Sequence, residues 1–594
     1  MTSNLTSLGG AAGLCLLALL PASATAEDRN GYVAQYECRA GNPACNVDVT
    51  YLATRQCEQV ITPQTTPLND WSAIDWSKNV ICLASGDYTN RGTLVLRSSG
   101  QSNSYKVIRH ASADPVNEEP WKRSPAQRAT LKAIDSNGQD FWFVNGLTFN
   151  VNGSNYAFQV RNGSNNVIIN RIYATAGGYP YAGMITFWNA SNSTLQNSVV
   201  GGCRLAPGSE SYAVQLVLGV SDIRIVNNEL YDCTKNIYVN ESSSNGAPGT
   251  VIENNDIYWS PATYTDCNGN RTPTGSCGSG EHVLNFKQGG SQSKPVRIIH
   301  NRIWGGRPLD AKVSGDAGGA EGSLIATSVG GPGTPRPYTG ADWFLIKDNI
   351  LFDSQQGITT TGYNTEVRLD NHSVIGNILW KFRTHRSSFG THAVVWNYRR
   401  ANEFYLNTVI DSRGTGTNRS WLVTSTSDNE SDLRCNVVMD SDPRAGTPGS
   451  GTQYNSNAYY ATNHSSEAHY ISVVPRLRAA SAGFSVGELM RTSSSPDACS
   501  AVDDPDCYIY RAIQAGTTGA TSKPAACTAL GCTFADGSVV WQAVRGPYAF
   551  WRKLNTSPEL VVIPYARPHA GSPEAYACPA TFASRPGVGI DNVQ

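Results

Sequence analysis

Residues 281–287 read EHVLNFK and combine side chains that can hold, take or give a proton. Side chains alternate between the two faces of a β-strand, so Leu284 and Phe286 are expected to face a core together with His282. The polar residues expected to face outward are Glu281, Asn285 and Lys287. A lysine whose pKa is lowered by nearby cations or by desolvation can act as a base, which makes Lys287 the first catalytic candidate.

Eliminative cleavage of a polysaccharide that contains uronic acids requires three groups at one site. A cation must neutralise the C6 carboxylate, a base must remove the C5 proton, and an acid must protonate the leaving oxygen at C4. Lys287 can serve as the base, with Arg307 or Arg302 as the cation. Tyr238 can deliver the proton instead. An outward lysine can equally be a solvated residue that discourages edge pairing.

Alignment of neighbouring strands predicts residues that bind substrate. The strand before places Tyr238 and Asn240 beside Asn285 and Lys287, and the strand after adds Ile325 and Thr327. The expected substrate-binding residues at this place are Asn240, Asn285 and Thr327. Glu281 and Glu241 are candidate ligands for a cation, with calcium as the candidate cofactor. Solvated charge is the alternative reading of both carboxylates.

A second basic and aromatic cluster follows residue 380. Trp396 can stack on a sugar ring there, and Arg383 can pair with a carboxylate or a sulfate. The cluster therefore predicts an outlying subsite. A loop-stabilising cluster is the alternative.

A short repeat indicates the fold that must position these residues. An Asn is followed two residues later by an apolar residue, mostly at intervals of 27 to 31 residues, with two longer gaps of 46 and 48. The repeated residues are Asn170, Asn197, Asn228, Asn255, Asn301, Asn349, Asn377, Asn407 and Asn436. Short strands at this period, without room for a helix, predict an all-β solenoid of the parallel β-helix type with a ladder of stacked Asn amides. The two long gaps are insertions that flank residues 281–287, where loops can wall a site.

The ends of the chain differ from this repeat. We predict a signal peptide over residues 1–26, an N-terminal cap over 27–70, the β-helix over 71–490, and a cysteine-rich C-terminal module and tail over 491–594. The small disulfide-rich β-module can be either a structural cap or a carbohydrate-binding module. Fourteen cysteines remain after the signal, and we expect local disulfides. The candidate pairs are Cys38/Cys45, Cys203/Cys233, Cys267/Cys277, Cys499/Cys507 and Cys527/Cys532.

Composition and charge exclude several classes of protein. Charged residues make up 16% of the chain, below the usual quarter, and the net charge is −1. A helical bundle is excluded, and nothing predicts a nucleic-acid partner, which would select a basic excess. Membrane insertion is not expected, because the apolar run of the signal is too short to span a bilayer. We expect a secreted or periplasmic monomer whose partner is an acidic polysaccharide.

Two stretches carry a resemblance to known families. Residues 79–88, 92–96 and 105–109 resemble the first turn of right-handed parallel β-helix proteins of the pectate-lyase-like superfamily, which implies that handedness. Lys287, the strand at 296–303 and Arg307 resemble the layout of the chondroitinase B and alginate lyase family. That resemblance implies a strand lysine as the base, an arginine about one coil later as the acid, and calcium ligands. The family continues with Arg-His-Gly, whereas Pro308 and Leu309 follow Arg307 here.

Three alternatives remain open at this stage. A β-helix glycoside hydrolase would use paired carboxylates, and the candidate residues are Asp310, Asp316 or Glu321 with Glu241 or Glu281. A non-catalytic glycan-binding surface protein would need no such groups. A C5-epimerase would use nearly the same proton abstraction as a lyase. The favoured prediction is a polysaccharide lyase that acts by β-elimination.

Overall fold

The protein is a right-handed parallel β-helix followed by a small β-module, as the repeat predicts. The computed structural model describes residues 47–64, 70–151, 156–175, 183–203, 211–240, 246–259, 282–306, 322–328, 342–361, 371–384, 390–396, 402–415, 419–424, 431–433, 436–439, 441–443, 458–460, 471–473, 475–493, 504–521, 526–529, 531–545, 548–554 and 557–563. Within these residues, none of the helices has the length and apolar character needed to cross a membrane.

Three parallel sheets form the faces of the solenoid. Sheet A contains, in spatial order, β1 (Gln59–Ile61), β2 (Val80–Leu83), β5 (Lys106–His110), β8 (Trp142–Asn145), β11 (Val167–Asn170), β14 (Thr194–Gln196), β17 (Arg224–Val226), β20 (Val251–Glu253), β23 (Val296–Ile299), β26 (Phe344–Lys347), β29 (His372–Ile375), β32 (Asn402–Tyr405) and β35 (Ser431–Asp432). Sheet B contains β3 (Gly86–Asp87), β6 (Ala129–Leu131), β9 (Thr148–Asn150), β12 (Tyr173–Thr175), β15 (Val199–Gly201), β18 (Glu229–Tyr231), β21 (Asp256–Tyr258), β24 (Arg302–Trp304), β27 (Ile350–Ser354), β30 (Ile378–Arg383), β33 (Thr408–Arg413), β36 (Val437–Met439), β37 (Ala458–Tyr460) and β38 (Ile471–Val473). Sheet C contains β4 (Thr93–Val95), β7 (Ala133–Asp135), β10 (Phe158–Val160), β13 (Gly183–Trp188), β16 (Tyr212–Val217), β19 (Lys235–Val239), β22 (His282–Phe286), β25 (Ser323–Ser328), β28 (Gln356–Thr361), β31 (Thr391–Trp396) and β34 (Arg419–Thr424).

Helices are short and lie outside this repeat. The chain has one α-helix, α1 (Val49–Thr54), and four 3₁₀ turns in the described residues (Thr89–Arg91, Pro120–Lys122, Pro125–Gln127 and Pro505–Cys507). Strand β1, inside the segment assigned to the cap, already pairs in parallel with β2. The solenoid sheets therefore begin before residue 71.

The interior of the solenoid is filled by columns of branched apolar side chains. In sheet A, one such column follows the strand register from coil to coil and is fully buried. Its members include Ile81, Ile108, Val144, Ile169, Leu195, Ile225, Ile252, Ile298 and Ile346. Each coil buries its apolar face against its two neighbours, which is why the short strands are stable only as a stack.

The predicted Asn ladder is present between sheets A and B, and it runs through seven coils. Each Asn amide donates to the side-chain oxygen of the next Asn at 2.9 to 3.2 Å. The members are Asn228, Asn255, Asn301, Asn349, Asn377, Asn407 and Asn436. Asn170 and Asn197 belong instead to a second stack on Asn145 and Asn227, in which the amides donate toward the N-terminus. The expectation of one ladder of nine is therefore wrong for these two residues.

A left-handed residue precedes the ladder position and makes the corner between sheets A and B. Asn227 has φ 54° and Asn254 has φ 53°. Asn tolerates this conformation better than most residues with a side chain. The corner thus turns within two residues and aims the following Asn inward.

Three disulfides are formed among the described residues. Cys203–Cys233 and Cys527–Cys532 confirm two of the expected pairs, and Cys57–Cys82 joins the N-terminal segment to β2. Each of the other three candidate pairs includes a residue whose side chain lies outside the described residues. Disulfides of this kind are typical of oxidising compartments.

The C-terminal module packs against the outer face of sheet B. It is built from β39 (Arg476–Leu477), β40 (Gly483–Phe484), β41 (Leu489–Arg491), β42 (Ile509–Gln514), β43 (Gly516–Thr517), β44 (Thr533–Asp536) and β45 (Val539–Arg545), followed by the hairpin β46 (Tyr548–Leu554) and β47 (Ser557–Ile563). Its first strand precedes residue 491, the residue at which the sequence predicts that the module begins. Leu489, Ile509 and Val544 share one buried cluster with residues of sheet B.

The sheet B side of this contact is a column of aromatic rings. Successive rings are paired by the strand register, and their centroids lie 4.4 to 6.1 Å apart. The column consists of Tyr231, Tyr258, Trp304, Phe352 and Trp380. All five side chains are buried, and the module shares their cluster through Leu489, Ile509 and Val544.

A buried ion pair inside the module gives a prediction about pH. Arg478 donates to both carboxylate oxygens of Asp536 at 2.8 Å, and both side chains are 2% exposed. Burial alone would raise the pKa of Asp536, but the hydrogen bonds from Arg478 and from the Gly519 N–H hold it below its ordinary value. Because the folded pKa is lower than the unfolded one, the stabilisation is complete above about pH 4 and is lost as pH falls further.

We expect hydrogen exchange of peptides from residues 476–545 to accelerate on acidification below that pH. In Asp536→Asn the module should be less stable at neutral pH and should respond less to acid. Asp114→Asn, a change at an exposed carboxylate, serves as the control. An identical acid response in wild type and Asp536→Asn would contradict this assignment.

Candidate functional site

The outer face of sheet C gathers polar and aromatic side chains from successive coils. Tyr238 pairs with Asn285, as the sequence alignment predicts, and Gln215 pairs with Tyr238 in the coil before. Two residues after Asn285, the Lys287 N–H donates to the Val239 carbonyl at 3.0 Å. This bond places Lys287 beside Asn240.

Lys235 lies at the centre of this face and is held by two tyrosine rings. It pairs with Tyr212 in the strand register. Its ammonium lies 4.7 Å from the centre of the Tyr238 ring and 5.9 Å from that of Tyr212. The two rings stack with centroids 4.7 Å apart. Lys235 is 2% exposed, so the attraction between the cation and the ring faces acts where water is largely excluded.

The row that contains Lys235 continues through polar residues in the following coils. The register of β19 with β22 brings His282 next to Lys235, and His282 pairs with Ser323. Ser323 Oγ donates to Gln356 Oε1 at 3.2 Å and accepts from Thr359 Oγ1 at 2.9 Å. Thr359 lies in the row of Asn285, so both rows belong to the same outer face. His282 therefore shares a row with Lys235 on that face, whereas strict alternation predicted an inward position.

The alternation fails because two consecutive residues of each strand enter the core. Val283 and Leu284 are both fully buried in the core cluster, and so are Leu324 and Ile325. The residue before such a pair and the residue after it then lie on the same side. This local irregularity is what brings the rows of Lys235 and Tyr238 together.

The rim of the face is more open to solvent than its centre. Trp188 is 43% exposed and pairs with Val217 in the next coil. Asn240 and Lys287 continue the same row and are half-buried. An exposed tryptophan gives a flat apolar surface on which a sugar ring can stack.

Thr327 lies in sheet C but one residue out of the expected register. It pairs with Phe286 instead of lying beside Lys287, and it is fully buried. Because Ile325 pairs with Leu284, the residue that continues the row of Lys287 is Ser328. In the sequence, the apolar pattern Leu324/Ala326 predicts a register in which Thr327 lies beside Lys287.

Three other candidates lie away from this face. Arg302 is on sheet B, where its guanidinium binds both oxygens of Asp256 at 2.5 and 2.6 Å. Arg383 is also on sheet B and is paired with Asp411. Trp396 is fully buried in the solenoid core next to Phe404, where no sugar ring can reach it.

The remaining candidates, Arg307, Glu241 and Glu281, lie outside the described residues. Among the residues that the structure does describe, no group of three or more His, Cys, Asp or Glu side chains comes together as a metal site.

Sequence reasoning missed Lys235 and Trp188. A signal for Lys235 was available, because it precedes Ile237 by the same two residues that separate His282 from Leu284 and Ser323 from Ile325. Trp188 directly follows the core residue Phe187, so alternation predicts that it faces outward. Neither residue lies next to the inserted segments that drew attention to Lys287.

The arrangement supplies cations and proton-transfer groups but few acids. The eight strands of sheet C from β13 to β34 contain no Asp or Glu. Lys235 can attract an anionic group, the Tyr238 hydroxyl and His282 can exchange protons, and the Asn285 amide can donate hydrogen bonds. This chemistry suits a substrate that carries carboxylates.

Comparisons with known proteins find similarity to this chain in structure and not in sequence. No protein-family model and no curated protein sequence matches it. Its structure is similar to PfbA, a surface adhesin of Streptococcus pneumoniae, with TM-score 0.38 and 11% identity over 73% of this chain and 89% of that one. It is also similar to the tailspike protein of E. coli bacteriophage HK620 in complex with a pentasaccharide (TM-score 0.36, 12% identity, 67% and 60% coverage) and to DFA-IIIase from Arthrobacter chlorophenolicus A6 (TM-score 0.33, 13% identity, 61% and 84% coverage). The description of this chain as a parallel β-helix rests on its own three sheets and their register.

Proposed function

We propose that the protein is an exported, monomeric lyase that binds an acidic polysaccharide on the outer face of sheet C and cleaves it by β-elimination. The observation that carries the proposal is the position of the Lys235 ammonium, 4.7 Å from the Tyr238 ring and in the same row as His282. A cation and two groups able to exchange protons thus meet within two adjacent coils.

Each step of elimination then has a group on this face. The positive charge of Lys235, which is buried just beneath this face, helps to neutralise the C6 carboxylate and so acidifies the C5 proton. Lys287 at the rim takes that proton, the C4–C5 double bond forms, and the C4–O bond breaks. Tyr238 protonates the leaving oxygen. Trp188 binds a sugar ring further along the chain of the substrate.

The composition of the face supports elimination over hydrolysis. Hydrolysis of a glycosidic bond needs two carboxyl groups, one on each side of the bond. The strands from β13 to β34 supply none, so a hydrolase would have to take both from segments outside these strands. An epimerase would use the same base, but it would return the proton to C5 and leave the chain uncut.

The test is absorbance near 235 nm, where the unsaturated product of elimination absorbs. The full chain is incubated with pectate, alginate, glucuronan and glycosaminoglycans. Each is assayed with and without calcium, since carboxylates such as Glu241 and Glu281 are ligands that calcium prefers. We expect a rise for one of these polymers, and a rate at least about 100-fold lower in Lys287→Met. Lys381→Met removes a lysine that is half-buried like Lys287 but lies on sheet B, and it should leave the rate unchanged.

New reducing ends without absorbance would overturn the proposal in favour of a hydrolase. Retention of a polymer without any cleavage, weakened by Trp188→Ala, would instead show a binding protein. Exchange of the C5 proton with solvent deuterium without cleavage would identify an epimerase.

A further inference from the structure

A second cluster of reactive side chains lies at the N-terminal end of the solenoid, far along the chain from the face of sheet C. The Ser85 hydroxyl is 3.0 Å from His110 Nε2. His110 Nδ1 is 3.3 Å from Glu118 Oε1. Serine, imidazole and carboxylate thus form a chain in which each group contacts the next, with distances close to those of a nucleophile, its base and an orienting acid.

The solenoid itself positions the first two members. Ser85 follows β2 at the corner between sheets A and B, and His110 ends β5 in the next coil. Leu83 pairs with His110, so the serine and the imidazole come from adjacent rungs of one corner. Their separation is therefore fixed by the strand register and not by a loop.

Glu118 comes from the segment that joins β5 to β6, and two neighbours fix its carboxylate. Arg123 donates to its two oxygens at 2.7 and 2.9 Å. Gly146 in the next coil lies against it, and a Cβ there would be 2.5 Å from Glu118 Cγ. The close approach of Gly146 makes room for the acid behind the imidazole.

Exposure to solvent is low for the acid and the imidazole of the cluster and high for the serine, as a nucleophile requires. Glu118 is 1% exposed and His110 is 2% exposed, whereas Ser85 is exposed to solvent. The hydroxyl is consequently the member that a substrate can reach. An ionised Glu118 favours the tautomer with the proton on Nδ1, which leaves Nε2 free to accept the proton of Ser85.

We propose that Ser85, His110 and Glu118 form a second active site that hydrolyses carboxylic esters. Ser85 Oγ attacks the ester carbon while its proton passes to His110 Nε2. The ester C–O bond breaks, and the leaving alcohol takes that proton, which leaves an acyl group on Ser85. Water then attacks the acyl carbon, gives a proton to His110, and releases the carboxylic acid and the free serine. Glu118 is a positioning residue that acts through the imidazole.

This site is independent of the proposed elimination on sheet C. Ser85 also lies 3.2 Å from the Gln127 carbonyl, so a purely structural network of hydrogen bonds is the competing explanation. A structural serine would have no enhanced reactivity.

The test uses an alkyl fluorophosphonate, which reacts with activated serines, and p-nitrophenyl acetate as the ester. We expect one phosphonyl group per chain, mapped to Ser85 by peptide mass spectrometry. Ser85→Ala should lose the label and reduce ester hydrolysis at least about 100-fold. Ser77→Ala is the matched control, because Ser77 is exposed like Ser85 and its hydroxyl donates to the Asp75 carboxylate at 2.7 Å outside the cluster, and it should keep both activities.

Three further variants separate catalysis from structure. His110→Gln should abolish labelling of Ser85, and Glu118→Gln should slow it, with partial rescue in Glu118→Asp. If His110→Gln fails to fold, the wild-type label and Ser85→Ala still decide the question. An unlabelled wild type, a label on another residue, or equal labelling of a folded His110→Gln would overturn the proposal.

Discussion

Replacing Tyr238 with Phe is expected to slow elimination by roughly 10²- to 10⁴-fold, the range that a positioned proton donor contributes. Phe keeps the ring that stacks on Tyr212 at 4.7 Å and that faces the Lys235 ammonium. Only the hydroxyl is removed, so the loss should fall on the rate constant of the cleavage step and not on the binding of the polymer. The initial rate of absorbance increase at saturating substrate measures it.

Tyr212→Phe is the matched control for this prediction. Tyr212 stacks on the same partner and lies 5.9 Å from the same ammonium, but it has no assigned proton transfer. Its rate should remain close to that of wild type. Equal losses in the two variants would show that the hydroxyls serve packing or binding. A fully active Tyr238→Phe would show that another group on the face is the proton donor.

Replacing Asn301 with Ala is expected to cost the solenoid about 3 to 5 kcal/mol, because several buried groups lose their partners at once. The Asn301 oxygen accepts both the backbone N–H and the side-chain amide of Asn255 at 2.9 Å. Its own amide donates to the carbonyl of Ile252 and to Asn349. Urea unfolding followed by circular dichroism measures the change.

Asn117→Ala provides the comparison for this measurement. Asn117 is exposed and its amide contacts only Asp114 among the contacts seen for that side chain, so the change should lie within about 0.5 kcal/mol. A cost for Asn301→Ala as small as that of Asn117→Ala would show that water replaces the ladder bonds.

The fold was predictable because its signal repeats in every coil. A single Asn or a single apolar pair means little, but Asn255, Asn301 and Asn349 recur with strands of the same kind around them. The pairing of Tyr238 with Asn285 followed from aligning neighbouring coils on that period. Repetition turns a weak local preference into a strong constraint, because each coil must match its neighbours.

The candidate site was less predictable because it depends on local departures from the period. Alternation put Thr327 one residue out of register and His282 on the wrong face of the sheet. Both errors arise because two consecutive residues of a strand, such as Leu324 and Ile325, enter the core where alternation allows only one. A one-residue shift moves every later side chain to the other face. The ion pair of Arg302 with Asp256 was equally invisible, because its partner lies 46 residues earlier in the chain.

The aromatic column under the C-terminal module limits how this protein can be divided. A chain that ended near residue 475 would remove Leu489, Ile509 and Val544 from the cluster that contains these five rings, which extend over about 19 Å at the usual spacing between strands. Contiguous apolar strips of that kind cause soluble proteins to associate with one another. We therefore expect a solenoid shortened in this way to associate with itself unless residues of the column, such as Tyr258, Trp304 and Phe352, are replaced by polar ones.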